Sequence, residues 1–195
     1  MGAANEADGL AGLRIRSFMK TALDVDPSIL REHERQYLER LKAYGWSDNR
    51  TVREGERPDF NSTTGFQLRF NVPELVVFGL PLEAGHAILW DIYNDLGGGA
   101  RFNTTQPWPG LINGFDVWFQ PVDRSKYREY LSWSGWFYAG EDFDCWQMVW
   151  PDKNGRFPWQ RDFDPSLRPL QPDLSGARWN GHGDEAEDDH ISVIP

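Results

Sequence analysis

The chain has 195 residues, with 30 acidic side chains against 20 basic ones, one Cys and ten Trp. Its apolar content is that of a globular domain, which excludes disorder of the whole chain, and a single Cys excludes a disulfide framework and a cysteine-rich zinc site. The longest apolar run, Leu75 to Leu82, is far shorter than the roughly 20 residues that cross a bilayer. The first nine residues lack the basic region of a secretory signal. These features predict a cytoplasmic protein without membrane association.

The formal charge is −10, and half of it lies in the last fifteen residues, which hold five acidic side chains and no Lys or Arg. Proteins that bind nucleic acids usually carry a basic face. The acidic balance therefore predicts no nucleic-acid partner and favours a basic protein as partner. Arg outnumbers Lys sixteen to four, which is typical of a GC-rich bacterial or phage genome.

Residues 1–9 are small and polar, and we expect them to be disordered. Leu10 to Leu23 can form a helix. The next segment is amphipathic: Asp26 can cap a helix, Pro27 suits its first position and Gly45 suits the residue just past its end. Apolar residues recur between them at helical spacing, so the segment predicts a helix.

From Trp46 onward the hydrophobic period changes. The segments Trp46 to Arg53, Phe60 to Phe70 and Glu74 to Leu80 have the β-branched and aromatic content of strands. A helix is predicted from Pro81 to about Leu96, where three consecutive glycines end it.

The rest of the chain predicts strands at Gly114 to Val122 and Phe143 to Trp150, with a short helix at Asp123 to Leu131 between them. The expected fold is α+β: a single domain over residues 10–180, in which two or three helices pack on a mixed or antiparallel sheet. Residues 181–195 are interpreted as a flexible acidic tail.

The densest aromatic and charged segment is Cys145 to Trp159. Asp152 to Gly155 is a good turn sequence, because Asn tolerates turn geometry and Gly supplies positive φ. We interpret the segment as a hairpin whose turn holds Trp150 near Trp159 and places charged residues at its rim. A hairpin that only plugs the edge of the core is the alternative. The predicted binding residues are Trp150, Asp152, Lys153, Arg156, Trp159 and Glu74.

The remaining candidate residues give weaker evidence for a catalytic or metal site. His86 lies within the second predicted helix, and a general base there would need a positioned partner that the sequence does not identify. Glu74 can be a buried acid or a rim carboxylate. Cys145 lies in a strand-like run and is expected to be a small, buried, reduced residue. No ligand spacing predicts a metal or a cofactor, and the His182 to His190 cluster is interpreted as solvated tail.

Eight of the ten Trp lie between Trp108 and Trp179. Some of them must be core, and a surplus of Trp beside polar loops also suits sugar stacking or protein interfaces. The segment Trp133 to Tyr138 is the first candidate for exposed rings.

Three motifs carry a family resemblance: Pro73 to Pro81 (PELVVFGLP), Gln147 to Trp159 (QMVWPDKNGRFPW) and Gln171 to Leu174 (QPDL). Over roughly Tyr44 to Leu174 the chain resembles the bacterial domain-of-unknown-function family number 4262. Ser62 and Val72 stand where the family pattern has Tyr and His. The resemblance implies a bacterial, soluble, single-domain protein and no particular reaction.

The acidic balance, the Trp-rich second half and the lack of a convincing catalytic set favour a non-enzymatic interaction domain. It would bind another protein, in the manner of an immunity protein that binds a basic toxin or enzyme. A small-ligand-binding protein or hydrolase-type enzyme with a Trp-lined pocket is the first alternative, with Glu74 and Asp152 as carboxylates and Arg156 as anion anchor. A carbohydrate-binding module is the second.

Overall fold

A mixed sheet of six strands, in the order β1-β2-β3-β6-β5-β4, organises the computed structural model of the protein. The structure describes residues 20–102, 106–112 and 114–179. The central pair β3 and β6 is parallel, and every other neighbouring pair is antiparallel. The strands are β1 (Ser47–Thr51), β2 (Phe60–Thr64), β3 (Glu74–Phe78), β4 (Trp108–Ile112), β5 (Phe115–Pro121) and β6 (Cys145–Val149).

Helices cover both faces of this sheet. They are α1 (Glu32–Tyr44), α2 (Phe66–Phe70), α3 (Leu82–Gly97), α4 (Tyr127–Tyr130) and α5 (Ser132–Phe137), and short 3₁₀ segments add to them. The α+β class with a mixed sheet is therefore confirmed, although the described residues form five α-helices instead of two or three. Of the three short helices, α4 lies within the helix predicted at Asp123 to Leu131, whereas α2 and α5 are too short for apolar periodicity to detect.

The first amphipathic helix ends where the sequence predicts. Gly45 adopts the left-handed conformation (φ 81°), and its N–H donates to the Leu41 carbonyl at 2.8 Å. Its start differs, because Asp26 caps a separate 3₁₀ turn at Pro27–Ile29. The helix itself begins at Glu32, after an extended residue Arg31.

The segment Phe60 to Phe70 was predicted as a strand, and only its first half is one. The chain turns at Gly65 (φ 115°) and continues as α2. A Cβ at Gly65 would lie 2.7 Å from the Gly45 carbonyl oxygen, so only glycine fits this turn. Because aromatic residues suit strands and short helices alike, the pattern alone could not place this boundary.

Alternate residues of the central strands point to opposite faces of the sheet and pack into two separate hydrophobic cores. Val76 and Phe78 of β3 pack with α1, α4 and α5 on one face, while Leu75 and Val77 pack with α3 on the other. This alternation is what a strand buried on both faces requires. Helices α1 and α3 therefore flank the β1 side of the sheet from opposite faces.

The predicted disorder of residues 1–9, most of the Leu10 to Leu23 helix and the 181–195 tail lie outside the described residues. Within residues 20–102, 106–112 and 114–179, no helix combines the length and apolar character needed to cross a membrane.

Candidate functional site

A groove of about 330 Å³ opens where α1, β1 and α3 meet. Two of its lining residues come from α1, four from the segment that enters and forms β1, and two from α3. They are Arg40, Tyr44, Trp46, Ser47, Asp48, Arg50, His86 and Trp90. Every lining residue lies outside the Trp150 to Trp159 segment that the sequence singles out.

The groove runs along the outer edge of β1, which is an end strand of the sheet. Ser47 and Asp48 are consecutive strand residues and point to opposite faces, yet both line the groove. A cavity that both of them border, with α1 on one face and α3 on the other, must lie along the strand edge. In the described part of the chain, residues 47–51 make no backbone hydrogen bond beyond the ladder to β2.

A buried carboxylate fixes the α3 wall of the groove. Asp48 Oδ2 lies 2.9 Å from His86 Nδ1 and accepts from Arg50 Nε at 2.8 Å. Asn61 Nδ2 also donates to both Asp48 oxygens at 3.0 Å. The Asp48 side chain is 6% exposed, whereas that of His86 is 39% exposed. Asp48 therefore holds His86 and Arg50 in place while both remain open to the groove.

This contact sets the tautomer of His86. A carboxylate only accepts hydrogen bonds, so Nδ1 carries the proton and Nε2 keeps the lone pair in the neutral ring. Among the described residues Nε2 has no hydrogen-bond partner. The sequence suggests no partner for His86, because Asp48 is 38 residues away and no local motif joins the two.

Aromatic rings form the floor of the groove. The Trp46 ring stacks on His86 at 5.9 Å and on Tyr93 at 5.7 Å, and lies 5.8 Å from the Trp90 ring. Trp46 is 3% exposed, and its buried Nε1 has no acceptor in the described residues. A buried donor without an acceptor costs about 1–3 kcal/mol. The Trp46 N–H therefore lies buried without a hydrogen bond to the described residues.

The rim of the groove carries exposed residues. Tyr44 is 59% exposed and Trp90 is 39% exposed. Arg40 is exposed beside the Tyr37 ring, and its guanidinium makes no ion pair or hydrogen bond with the described residues. Trp90 lies outside the Trp108 to Trp179 region in which the sequence favours exposed rings.

The rings of the Trp133 to Tyr138 segment pack toward α1 and the core, with Phe137 and Tyr138 buried and Trp133 and Trp136 partly buried. The Trp133 ring stacks on Tyr37 of α1 at 4.3 Å, and the Trp136 ring packs against both. Tyr138 is 5% exposed. This segment therefore joins α5 to α1 through the partly buried Trp133 and Trp136 rings.

The predicted turn at Asp152 forms, but the predicted hairpin does not. Gly155 has φ 78°, and its N–H donates to the Asp152 carbonyl at 2.9 Å. No strand follows β6 before Trp159. The hairpin prediction is wrong because β3 and β5 occupy both edges of β6 and leave no edge for a returning strand.

Asp152 organises this turn from inside and is 1% exposed, so it is not at the rim. Its carboxylate accepts from the backbone N–H groups of Asn154, Arg156 and Asp164 at 2.8 to 3.1 Å. Burial raises the pKa of this carboxyl, but the three N–H groups outweigh burial and hold the pKa below its usual range. Asp152 is thereby fully used in shaping the loop.

The other predicted binding residues have separate environments. Trp150 is 8% exposed and donates through Nε1 to the Phe78 carbonyl at 2.8 Å. Trp159 is 7% exposed and stacks on Phe157 at 4.9 Å. Arg156 donates to the Asp162 carbonyl at 2.9 Å. Lys153 is exposed.

Glu74 lies at the other end of the sheet. It faces Cys145 at the start of the parallel β3 and β6 pair, whereas Trp150 lies five residues further along β6, about 17 Å away at strand spacing. The structure therefore does not bring Glu74 together with Asp152 and Arg156.

Glu74 instead ties α2 to the sheet. It is fully buried and accepts from Thr63 Oγ1, from Tyr138 O–H and from the N–H groups of residues 65, 66 and 67. Burial raises the pKa of Glu74, and these donors oppose that rise. The carboxyl group has a structural role at the Gly65 turn.

Cys145 is a free thiol and 1% exposed, which confirms the predicted buried residue. Burial raises the pKa of this thiol well above its usual value. In the described part of the chain, no group of three His, Cys, Asp or Glu side chains is arranged to hold a metal ion.

Comparison with known proteins identifies one family. The model of the domain of unknown function DUF4262 matches residues 40–164, a range that includes all eight groove residues. Neither the curated proteins nor the solved structures include a significant match.

Proposed function

Because the chain belongs to DUF4262, a family of domains of unknown function, we propose its role from the groove geometry: it is a non-enzymatic interaction domain that binds another protein along β1. The observation that carries this proposal is a strand edge, open between two helices and lined by Trp, Tyr and Arg. Those three residue types dominate the binding energy of protein interfaces.

The edge position favours an extended partner segment. Unpaired N–H and C=O groups on an end strand can pair with a strand from another chain. Side chains of such a segment would reach the groove between α1 and α3, where Tyr44 and Trp90 offer exposed rings. Backbone pairing would supply affinity and the ring contacts would supply selectivity.

The experiment compares three forms of the protein as bait in the native host. Trp90→Ala removes an exposed Trp ring of the groove, and Ile29→Ala removes an apolar side chain of 75% exposure outside the groove. We expect a partner retained by the natural protein and by Ile29→Ala but lost from Trp90→Ala. Calorimetry with the purified partner should then show at least a tenfold loss of affinity for Trp90→Ala.

A partner that binds Trp90→Ala with unchanged affinity would refute the groove as the interface. The identity of the partner tests the immunity-type role, which stays a prediction. A basic toxin or enzyme among the retained proteins would support that role, and a partner without toxic activity would refute it.

A second candidate is a hydrolase-type enzyme, which the Asp48 and His86 pair favours. A carboxylate that fixes a His tautomer leaves Nε2 ready to accept a proton. This candidate predicts hydrolysis of a neutral aryl ester, such as p-nitrophenyl acetate, that His86→Gln abolishes. Hydrolysis that continues unchanged in His86→Gln would exclude it.

A further inference from the structure

We propose that, in the absence of the partner protein, β1 pairs with β1 of a second copy of this chain, as two antiparallel strands centred on Asn49. The inference rests on the proposed function in that it uses the same open strand edge, and it names a second copy as the occupant of that edge. The partner protein then binds by displacing the second copy. In the pair, two six-stranded sheets form one continuous sheet, and both open β1 edges are removed.

The exposed apolar side chains of the described residues concentrate along this edge. Of the five large ones, Tyr44 and Trp90 line the groove and Val52 follows β1 directly. Val52 is 70% exposed. Because α1 and α3 lie on opposite faces of the sheet, Tyr44 and Trp90 place one exposed ring on each side of the edge. Apolar surface at an open strand edge is typical of a site that another strand covers.

The geometry of antiparallel pairing allows few registers. The backbone groups of every second residue point to the free edge, so a strand and its identical copy pair symmetrically about a residue. A centre on Asn49 pairs the full length of β1 (Ser47–Thr51), whereas a centre on Asp48 or Arg50 leaves one end of the strand unpaired.

The charges of β1 select the same register. With the centre on Asn49, Asp48 lies opposite Arg50 of the second copy and Arg50 lies opposite Asp48 of the second copy, so two opposite-charge pairs form. A centre on Asp48 places two carboxylates opposite each other, and a centre on Arg50 places two guanidinium groups opposite each other. Like charges directly opposite destabilise a sheet. Both residues line the groove, so the edge is complementary to itself, as a two-fold interface requires.

The same register covers exposed apolar surface. Val52 and Trp46 are each three residues from Asn49, so Val52 lies opposite Trp46 of the second copy. Trp46 lies on the α3 face of the sheet, where its ring is 5.8 Å from that of Trp90. Residues at even positions share this face. Val52 therefore lies beside the Trp90 ring of the second copy, and two exposed apolar side chains leave water together.

The test measures sedimentation of the purified full chain across a dilution series. We expect a concentration-dependent dimer, with a dissociation constant at least tenfold higher in Val52→Glu. The new carboxylate would enter an apolar contact near Asp48 of the second copy, whereas Val52 is exposed in the single chain and its replacement leaves the fold intact. Ile29→Glu places the same charge at an exposed apolar position outside the groove and should leave the dissociation constant unchanged.

Arg50→Glu tests the register. It converts both opposite-charge pairs into like-charge pairs, so it should also raise the dissociation constant at least tenfold. Arg128→Glu is its control, because it likewise removes an exposed Arg from an ion pair within the chain, with Glu141 at 3.0 Å, but outside the groove. We expect Arg128→Glu to dimerise like the natural protein. Circular dichroism checks that both variants are folded.

Three results would overturn the pairing. They are a natural protein that stays monomeric throughout the series, a dimer as stable in Val52→Glu as in Ile29→Glu, and a dimer as stable in Arg50→Glu as in Arg128→Glu. If one of them occurs while the partner protein is still lost from Trp90→Ala, the proposed function stands and only the pairing with a second copy fails. If the dimer behaves as expected while the partner protein binds Trp90→Ala normally, only the proposed function fails.

Discussion

Gly85 in α3 controls the network that positions His86. A Cβ at this position would lie 2.3 Å from Asn61 Oδ1 and 2.9 Å from its Cγ. Asn61 is 1% exposed, and its Nδ2 is held by Asp48 and by the Leu82 carbonyl at 3.1 Å. Gly85→Ala must therefore push a pinned, buried side chain out of its place.

The expected change in the free energy of unfolding of Gly85→Ala is the sum of opposing effects. Replacing a mid-helix glycine by alanine stabilises a helix by about 1 kcal/mol. Overpacking costs about 1–3 kcal/mol, and separating the Asn61 amide from its acceptors costs a further 1 kcal/mol or so. The net expectation is a loss of about 1–3 kcal/mol in the free energy of unfolding.

Urea unfolding of matched variants measures this loss. Gly97→Ala is the control, because Gly97 lies in the same helix with nothing within 4 Å of an added Cβ, so it should stabilise slightly. In an Asn61→Ala background the clash disappears, and Gly85→Ala should then stabilise the protein slightly, as Gly97→Ala does. A Gly85→Ala protein as stable as Gly97→Ala would refute the reasoning.

Four further predictions follow from buried or terminal groups. Cys145 should resist a thiol reagent in the native protein and react within seconds in urea; rapid native labelling would contradict its burial. Asp152→Asn should cost about 1–3 kcal/mol at pH 7. Since the folded pKa of Asp152 is lowered, its stabilisation is present above the unfolded pKa of about 3.9 and is lost as the pH falls through the folded value. The Asp152→Asn deficit in urea unfolding should therefore shrink toward pH 2, and a constant deficit would exclude this linkage. Trp159→Ala should lower stability by about 3–5 kcal/mol and Arg156→Ala by less than about 1 kcal/mol; a partner lost only from Arg156→Ala would instead support the recognition surface predicted from the sequence. Deleting residues 181–195 should leave the melting temperature nearly unchanged, and a fall of several degrees would show that this segment stabilises the fold.

The parts of the fold that follow from local patterns were predictable. Apolar spacing located α1 and α3, alternation located β5, and Gly45 marked a helix end because only a left-handed residue closes that turn. The absence of a hairpin in the Cys145 to Trp159 segment was not predictable from local patterns. Its turn depends on local residues, whereas its partner strands β3 and β5 are set by the whole sheet.

The candidate site was less predictable from the sequence than the fold. The high density of aromatic residues predicted binding residues at Trp150 and Trp159, and both side chains are buried in the structure. The groove depends on two segments that are distant along the chain, residues 40–50 and residues 86–90. Neither His86 nor Asp48 has a sequence neighbour that indicates their contact, so only the tertiary fold could reveal it.

The parallel pairing of β3 with β6 has a consequence for biosynthesis. Its two strands are 66 residues apart, between Phe78 and Cys145, and β3 is buried along its full length in the finished sheet. At translation rates of about 5–20 residues per second, β3 emerges several seconds before the strand that covers it. During that interval Leu75 to Phe78 form an apolar edge able to aggregate. A nascent chain of this protein should therefore depend on a ribosome-associated chaperone until β6 has emerged.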